Sequence, residues 1–91
     1  MTSASNPCYY PSQITASTLI KTSPGECGQV FCSTTSSGTI ALYDSATAAT
    51  NNKIVDTITL TAGQSYPLYI KFVNGLYAVI GGTASVTVTF V

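Results

Sequence analysis

Leu68-Tyr69-Ile70-Lys71-Phe72-Val73, Asn74-Gly75, Leu76-Tyr77-Ala78-Val79-Ile80, Gly81-Gly82 and Ala84-Ser85-Val86-Thr87-Val88-Thr89-Phe90-Val91 follow one another almost without spare residues. Asn-Gly between two β-prone runs predicts a hairpin, because both central residues of a type I′ turn take positive φ. Gly81-Gly82 predicts a second tight reversal. The last run alternates cleanly, with Val86, Val88 and Phe90 on one face and Ser85, Thr87 and Thr89 on the other. The stretch therefore reads as a three-stranded meander. Three strands with one apolar face are not stable alone in water, so the rest of the chain must lay a second layer over that face.

Upstream, the β rhythm begins at Ile14. Residues 14–21 read as a strand or two short strand pieces, closed by the turn residues Ser23-Pro24-Gly25. Residues 28–34 read as the next strand, and Ser36-Ser37-Gly38 turns into 39–43, where Ile40 and Leu42 point inward and Ala41 and Tyr43 outward. Asp44 is expected to cap the small-residue connector 46–50, given as a single helical turn. In 53–60, Ile54, Ile58 and Leu60 share a phase that Asp56 breaks, which places Asp56 near an edge. Pro67 belongs at an edge or a strand start, since it has no N–H for a central ladder. The sum is all-β: a single antiparallel β-sandwich or jelly-roll-like barrel of about seven to eight short strands over residues 14–91. Its expected inward residues are Ile40, Leu42, Ile58, Leu60, Leu68, Ile70, Phe72, Val86, Val88 and Phe90.

Residues 1–13 are set apart as an extended N-terminal arm. Pro7 and Pro11 bracket Cys8-Tyr9-Tyr10, which forbids a helix and favours extended backbone. Tyrosine suits interface cores, because it buries much area at little rotamer cost while its hydroxyl finds a partner. Pro7, Tyr9, Tyr10 and Pro11 are therefore candidate partner-binding residues, with packing of the tyrosines on the protein's own strands as the alternative.

Composition narrows the functional classes. At 91 residues the chain makes one domain, and only 7% of it is charged, with three cations, three carboxylates and no His or Trp. No cluster of Lys or Arg exists to hold nucleic acid or an anionic membrane. A neutral Thr/Ser surface is poorly protected against association, which favours a protein assembled with its own copies or a partner over a monomer solubilised by hydroxyls. The three cysteines Cys8, Cys27 and Cys32 have neither metal-site spacing nor the look of a secretory framework. The N-terminus lacks the basic and apolar regions of a signal peptide, and no apolar run reaches bilayer length. The expectation is synthesis in a reducing cytosol with free thiols, Cys32 serving as a small core side chain.

Without histidine, no Ser-His or Cys-His nucleophile pair can form. Asp44 and Asp56 can be nominated as the carboxylate pair for glycoside chemistry, yet one sits in a turn and the other among threonines. No enzyme activity, cofactor or metal is expected.

One further signal is a resemblance. The series Leu19-Ile20-Lys21-Thr22-Ser23-Pro24-Gly25, Gly38-Thr39-Ile40-Ala41-Leu42-Tyr43-Asp44, Ile58-Thr59-Leu60 with Ala62-Gly63, Phe72-Val73-Asn74-Gly75-Leu76-Tyr77 and Ala84-Ser85-Val86-Thr87-Val88 resembles a small β-sandwich family of virion structural proteins in tailed bacteriophages. The resemblance covers residues 14–91 and leaves out the Pro7–Pro11 segment. It implies a capsid decoration or cement protein on the virion surface, made in the host cytoplasm, with the major capsid protein and its own copies, as a trimer, for partners. A receptor- or glycan-binding virion module is the alternative, with Tyr9, Tyr10, Tyr43, Tyr69 and Tyr77 as stacking platforms.

Overall fold

The computed structural model describes residues 9–91, and in them it places six β-strands and no helix. The strands are β1 (Tyr10–Ile14), β2 (Thr18–Lys21), β3 (Gly25–Tyr43), β4 (Lys53–Thr59), β5 (Ser65–Phe72) and β6 (Leu76–Phe90). Every pairing is antiparallel, and all six belong to one hydrogen-bonded sheet.

Two of them dominate. β3 and β6 pair with each other from Cys27↔Phe90 to Tyr43↔Tyr77. A straight strand of 19 residues would run about 60 Å, well beyond the molecule's greatest extent of 42 Å. The β3–β6 ribbon must therefore double back, and the contacts at its ends agree: Gly25, which opens β3, pairs with Phe72, while Asp44, just past the end of β3, bonds to the backbone of residues 73–75. The first limb of the folded ribbon holds residues 39–43 and 76–81 and is flanked by β4 and β2. The second limb holds residues 25–36 and 83–90 and is flanked by β5 and β1.

The bend lies where three residue steps on β3 face two on β6, between Ser36↔Thr83 and Thr39↔Gly81. Ser37 and Gly82 both take positive φ there, 56° and 69°. A Cβ on Gly82 would meet the Ser37 carbonyl oxygen at 2.3 Å, and one on Gly38 would lie 2.7 Å from the Thr83 oxygen. The turn chemistry at Ser36-Ser37-Gly38 and Gly81-Gly82 thus produces a bulge that bends a continuous ribbon, not the two reversals expected. The chain therefore has six strands, two of them long, and not the seven to eight short ones expected.

The Asn74-Gly75 hairpin does not form. Positive φ occurs at Ser37, Asn52, Gly63, Tyr69 and Gly82, not at Asn74 or Gly75, so no type I′ turn exists there. β5 and β6 pair with β3, not with one another, and residues 73–75 carry the chain from one limb to the other. Gly75 is required for close approach instead: a Cβ would fall 2.5 Å from the Lys21 oxygen and 2.6 Å from the Ser45 oxygen.

The core is one cluster drawn from both limbs, with Cys27, Val30, Cys32, Ile40, Leu42, Leu76, Ala78, Val86 and Val88 fully buried and Leu60 and Phe72 nearly so. Of the expected inward residues, Ile58, Leu68, Ile70 and Phe90 pack on its margin and stay partly exposed. Ala41 and Tyr43, expected outside, are buried at 5% and 9% exposure. The Tyr43 ring is covered by Tyr77, centroids 6.3 Å apart, and by the Lys53 ammonium 5.7 Å from its centre. On β4, Ile40↔Ile58 and Leu42↔Val55 leave three steps against two, so a bulge at Asp56-Thr57 shifts the phase and buries Val55. The connector after Asp44 holds no helical turn; Ser45 Oγ instead donates to the Thr47 carbonyl at 2.7 Å.

The N-terminal strand is the other departure. Residues 10–14, mostly given to the arm, pair with β6 from Tyr10↔Phe90 to Ile14↔Val86. Removing residues 1–12 would therefore strip most of a strand from the second limb, not a free strap. Val88, fully buried and paired with Ser12 and Val30, tests the inward phase of β6. Val88→Asp buries an unpaired charge at about 5 kcal/mol or more, comparable with the whole stability of a small domain. The variant is expected to show no cooperative thermal transition by circular dichroism, and a melt within a few degrees of the parent would place the phase elsewhere.

Candidate functional site

The carboxylate of Asp44 is the best-satisfied polar group of the fold. Its Oδ2 accepts from the Val73 N–H at 3.0 Å, and its Oδ1 from the N–H groups of Asn74 and Gly75 at 2.7 and 3.3 Å. Burial to 9% exposure works against the charge, but the three backbone donors outweigh it and hold the Asp44 carboxyl below its ordinary pKa of 3.8. Asp44 does not cap a helical turn over 46–50 as expected; it caps the crossover between the limbs instead. Beside it lies an open recess of about 240 Å³ lined by Asp44, Ser45, Ala46, Asn51, Asn52 and Asn74. With both Asp44 oxygens engaged by backbone, the recess offers amides and a hydroxyl but no general base.

The other two carboxylates are engaged as well. Asp56 Oδ1 accepts from the Lys53 ammonium at 3.1 Å and from the Thr57 N–H at 2.7 Å. Glu26 Oε2 accepts the Tyr9 hydroxyl proton at 2.6 Å. Asp44 and Asp56 therefore serve separate loops and do not converge on a cleft. Among the described residues no group of three or more His, Cys, Asp or Glu is placed to hold a metal ion, and no helix is long and apolar enough to cross a membrane. Cys27 and Cys32 are free thiols inside the core; burial, reinforced by the adjacent Glu26, pushes Cys27 up to about 11, and burial also raises Cys32.

The candidate partner-binding residues have three different fates. Pro7, with Cys8, lies outside the described residues. Tyr9 is packed on its own sheet: its ring covers Gly28, where a Cβ would meet ring carbons at 3.0 Å, and its hydroxyl is held by Glu26. That bond, with burial and the Glu26 charge behind it, pushes the Tyr9 phenol up to about 12. Tyr10 and Pro11 lie in β1 and are exposed, Tyr10 at 66% even though its ring tilts toward Phe90 with centroids 6.1 Å apart.

Register relates further aromatics along one rung. Tyr10 pairs with Phe90, Phe90 with Cys27, and Cys27 with Ile70, so this rung runs across all four strands of the second limb. Tyr69 stands beside that rung, 63% exposed, at φ 52°. The positive φ marks a bulge, since β5 takes three steps from Pro67 to Ile70 while β3 takes two from Gln29 to Cys27. Val73, 69% exposed, follows Phe72 one rung further on. Three of the four large exposed apolar residues thus lie toward one end of the second limb, Tyr10 on its β1 edge and Tyr69 and Val73 on or after β5; the fourth, Phe31, lies along the outer face of the same limb. Of the other tyrosines, Tyr43 is buried and Tyr77 half-buried on the first limb, so the five rings do not form one platform. The roles of Glu26 and Val73 escape sequence reading, while Tyr69, named there as an exposed ring, is exposed. Pro67 signals an edge, but nothing local signals that the next bulge sets Tyr69 at positive φ.

The outer strands are guarded. β1, β2, β4 and β5 each pair on one side alone. Pro11 removes a donor from β1, Pro67 and the Tyr69 bulge interrupt β5, the Asp56-Thr57 bulge interrupts β4, and β2 is four residues long. These are the devices that prevent a sheet from adding foreign strands.

No protein-family model, no curated protein and no solved structure matches this chain.

Two titrations follow from this geometry. Asp44 has a lowered folded-state pKa, so its contribution is present above the ordinary value of 3.8 and is lost as pH falls through the folded-state value. Asp44→Asn, which loses the charge-assisted bonds, is expected to cost about 2 kcal/mol at neutral pH and to flatten the acid limb of the stability profile in urea titrations. An acid limb identical in parent and variant would remove Asp44 from that role. Tyr9 has a raised folded-state pKa, so its contribution is complete below the ordinary value of 10.0 and disappears as pH rises through about 12. Tyr9→Phe is expected to abolish the late tyrosinate transition in ultraviolet absorbance near that pH, and its persistence would assign the transition to another ring.

Proposed function

We propose that this chain is a non-enzymatic structural protein of a bacteriophage virion, a β-sandwich made by folding one long ribbon, that decorates the capsid surface and stabilises the lattice of the major capsid protein. The observation that carries the reading is a division of labour. All three carboxylates are engaged in holding the fold, at Tyr9, at the 73–75 crossover and at Lys53, while Tyr10, Tyr69 and Val73 present apolar area at one end. A chain that keeps no reactive group in reserve and leaves its large side chains outward is equipped for contact, not for turnover.

The doubled ribbon supports the two-layer architecture, since fully buried residues on both limbs need a covering layer and the other limb is the one available. The guarded edges support docking through side chains, in keeping with a subunit that seats on a preformed lattice. Net charge of zero and the resemblance of the turn-and-strand series to small virion proteins support the same reading. The partners on this reading are the major capsid protein and further copies of the chain, with no cofactor, nucleic acid or membrane, and the place of action is the capsid exterior after synthesis in the host cytoplasm.

Quantitative mass spectrometry of purified virions tests the proposal. The chain is expected at a copy number comparable with the capsid subunit, and particles lacking it are expected to lose their DNA at lower temperature. Its absence from intact particles would reject the capsid role.

A further inference from the structure

Asn74-Gly75 makes no hairpin, but the pair carries a chemistry of its own. An Asn followed by Gly is the dipeptide most open to succinimide formation, because glycine has no side chain to obstruct attack by its backbone nitrogen on the Asn carboxamide. The reaction needs an accessible Asn74 amide, water, and a Gly75 nitrogen free to turn and give up its proton. The first two are present: Asn74 is exposed and lines the open recess of about 240 Å³ beside Asp44. The third is withheld. Gly75 is buried, and its N–H donates to Asp44 Oδ1 at 3.3 Å, the same oxygen that accepts the Asn74 N–H at 2.7 Å.

We infer that Asn74 is a deamidation site held shut by the Asp44 carboxylate, and that its conversion is a one-way mark left when the crossover opens. The carboxylate opposes the reaction in two ways. Its charge disfavours an amide anion at Gly75, since removing the proton would set two negative charges together. Its hold on two consecutive N–H groups also fixes the peptide between them, so the Gly75 nitrogen cannot swing onto the Asn74 side chain. Packing adds to this, because the Lys21 and Ser45 carbonyl oxygens lie only 2.5 and 2.6 Å from where a Gly75 Cβ would stand. Residues 73–75 have no strand partner, so local opening of this segment breaks the Asp44 bonds without dissolving a ladder.

Once the segment is open, the Gly75 nitrogen bonds to Asn74 Cγ, its proton passes through solvent to the departing amide nitrogen, and ammonia leaves. Water then opens the ring at either carbonyl and gives aspartate or isoaspartate at position 74. The sum exchanges ammonia for water, with no oxidation or reduction. Neither product restores the closure. Aspartate places a second carboxylate beside Asp44, where like charges oppose each other. Isoaspartate inserts an extra backbone carbon between the two N–H groups that share Oδ1, which spoils their convergence. This chemistry is intrinsic to the chain and independent of any partner it docks on. Asn51 and Asn52, followed by Asn and Lys, lack the glycine and serve as internal controls.

Peptide mapping by mass spectrometry of the full chain, held at neutral pH either folded or in denaturing urea, tests the site. In urea, Asn74 is expected to convert to a mixture of aspartate and isoaspartate ahead of Asn51 and Asn52. In the folded chain, conversion at 74 is expected to be slower by about tenfold or more, the scale set by a charge-assisted hydrogen bond. Asp44→Ser, shown to be folded by circular dichroism, is expected to bring the rate at 74 most of the way back to that in urea. Where Asp44→Ser does not fold, the parent below its unfolding transition decides, since conversion is expected to rise with urea in step with hydrogen exchange at the Gly75 amide. Asn74→Asp, which installs one product directly, is expected to melt several degrees below the parent at neutral pH. Equal rates at 74 in folded and denatured parent, a folded Asp44→Ser as slow as the parent, or conversion while the Gly75 amide stays protected would overturn the inference. An Asn74→Asp chain as stable as the parent would overturn the one-way character of the mark.

Discussion

The fold depends on closing a doubled ribbon at its open end, and the Asp44 carboxylate makes that closure. Antiparallel pairing between β3 and β6 is satisfied whether the ribbon is straight or folded, so ladder bonds alone do not bring the limbs together. Apolar burial drives the collapse, but it is non-directional and leaves the crossover 73–75 with backbone donors and no strand partner. Asp44 supplies acceptors to three of those donors at once, from a loop that itself begins at the end of β3. One side chain thereby fixes the end of β3, the crossover and the start of β6 in a single arrangement. Gly75 matters for the same reason, since a side chain there would hold the crossover off the Lys21 and Ser45 carbonyls.

The bend at the other end is the complementary constraint. Ser37 and Gly82, at positive φ on opposite strands, let the ribbon turn without ending either strand. Each limb then carries its own flanking strands and two edges, and each edge is interrupted by proline, by a bulge or by brevity. A protein with so little charge cannot rely on repulsion to stay apart from other sheets, so backbone irregularity takes over that duty. The large exposed apolar side chains of this limb's end, Tyr10, Tyr69 and Val73, stand on the N-terminal strand, at the β5 bulge and just after β5. The first limb contributes no such collection, because its Tyr43 and Tyr77 stack on each other beneath Lys53.

Much of this was legible in the residues. Alternation marks Val86 and Val88 as inward, the proline at 67 marks an edge, and the lack of histidine excludes histidine-based catalysis, all of which are local or additive properties. Cys32 is legible as a core side chain on the same grounds, whereas Asp44, read as the cap of a local turn, caps a crossover thirty residues away. Partner choice is not additive. Asn74-Gly75 and Gly81-Gly82 carry equal turn signals, yet one is a crossover with ordinary φ and the other a bend within a strand, because which strands pair is decided by the core that both limbs share. The phase change at Asp56 and the burial of Val55 likewise come from a bulge set by the register against β3, not from the sequence of β4. Tyr9 and Tyr10 are neighbours of one kind in sequence and opposites in space: one lies over Gly28 and bonds Glu26, while the other points to the rim beside Phe90. Sequence by itself determined the strand-forming runs, the inward phase of Val86 and Val88 and the absence of a histidine-based site, since these follow from side-chain type and a period of two. Tertiary structure alone decided that the ribbon folds, that the arm is partly a strand and that Tyr10, Tyr69 and Val73 share one end, since residues some sixty apart meet only after long-range register is set by burial.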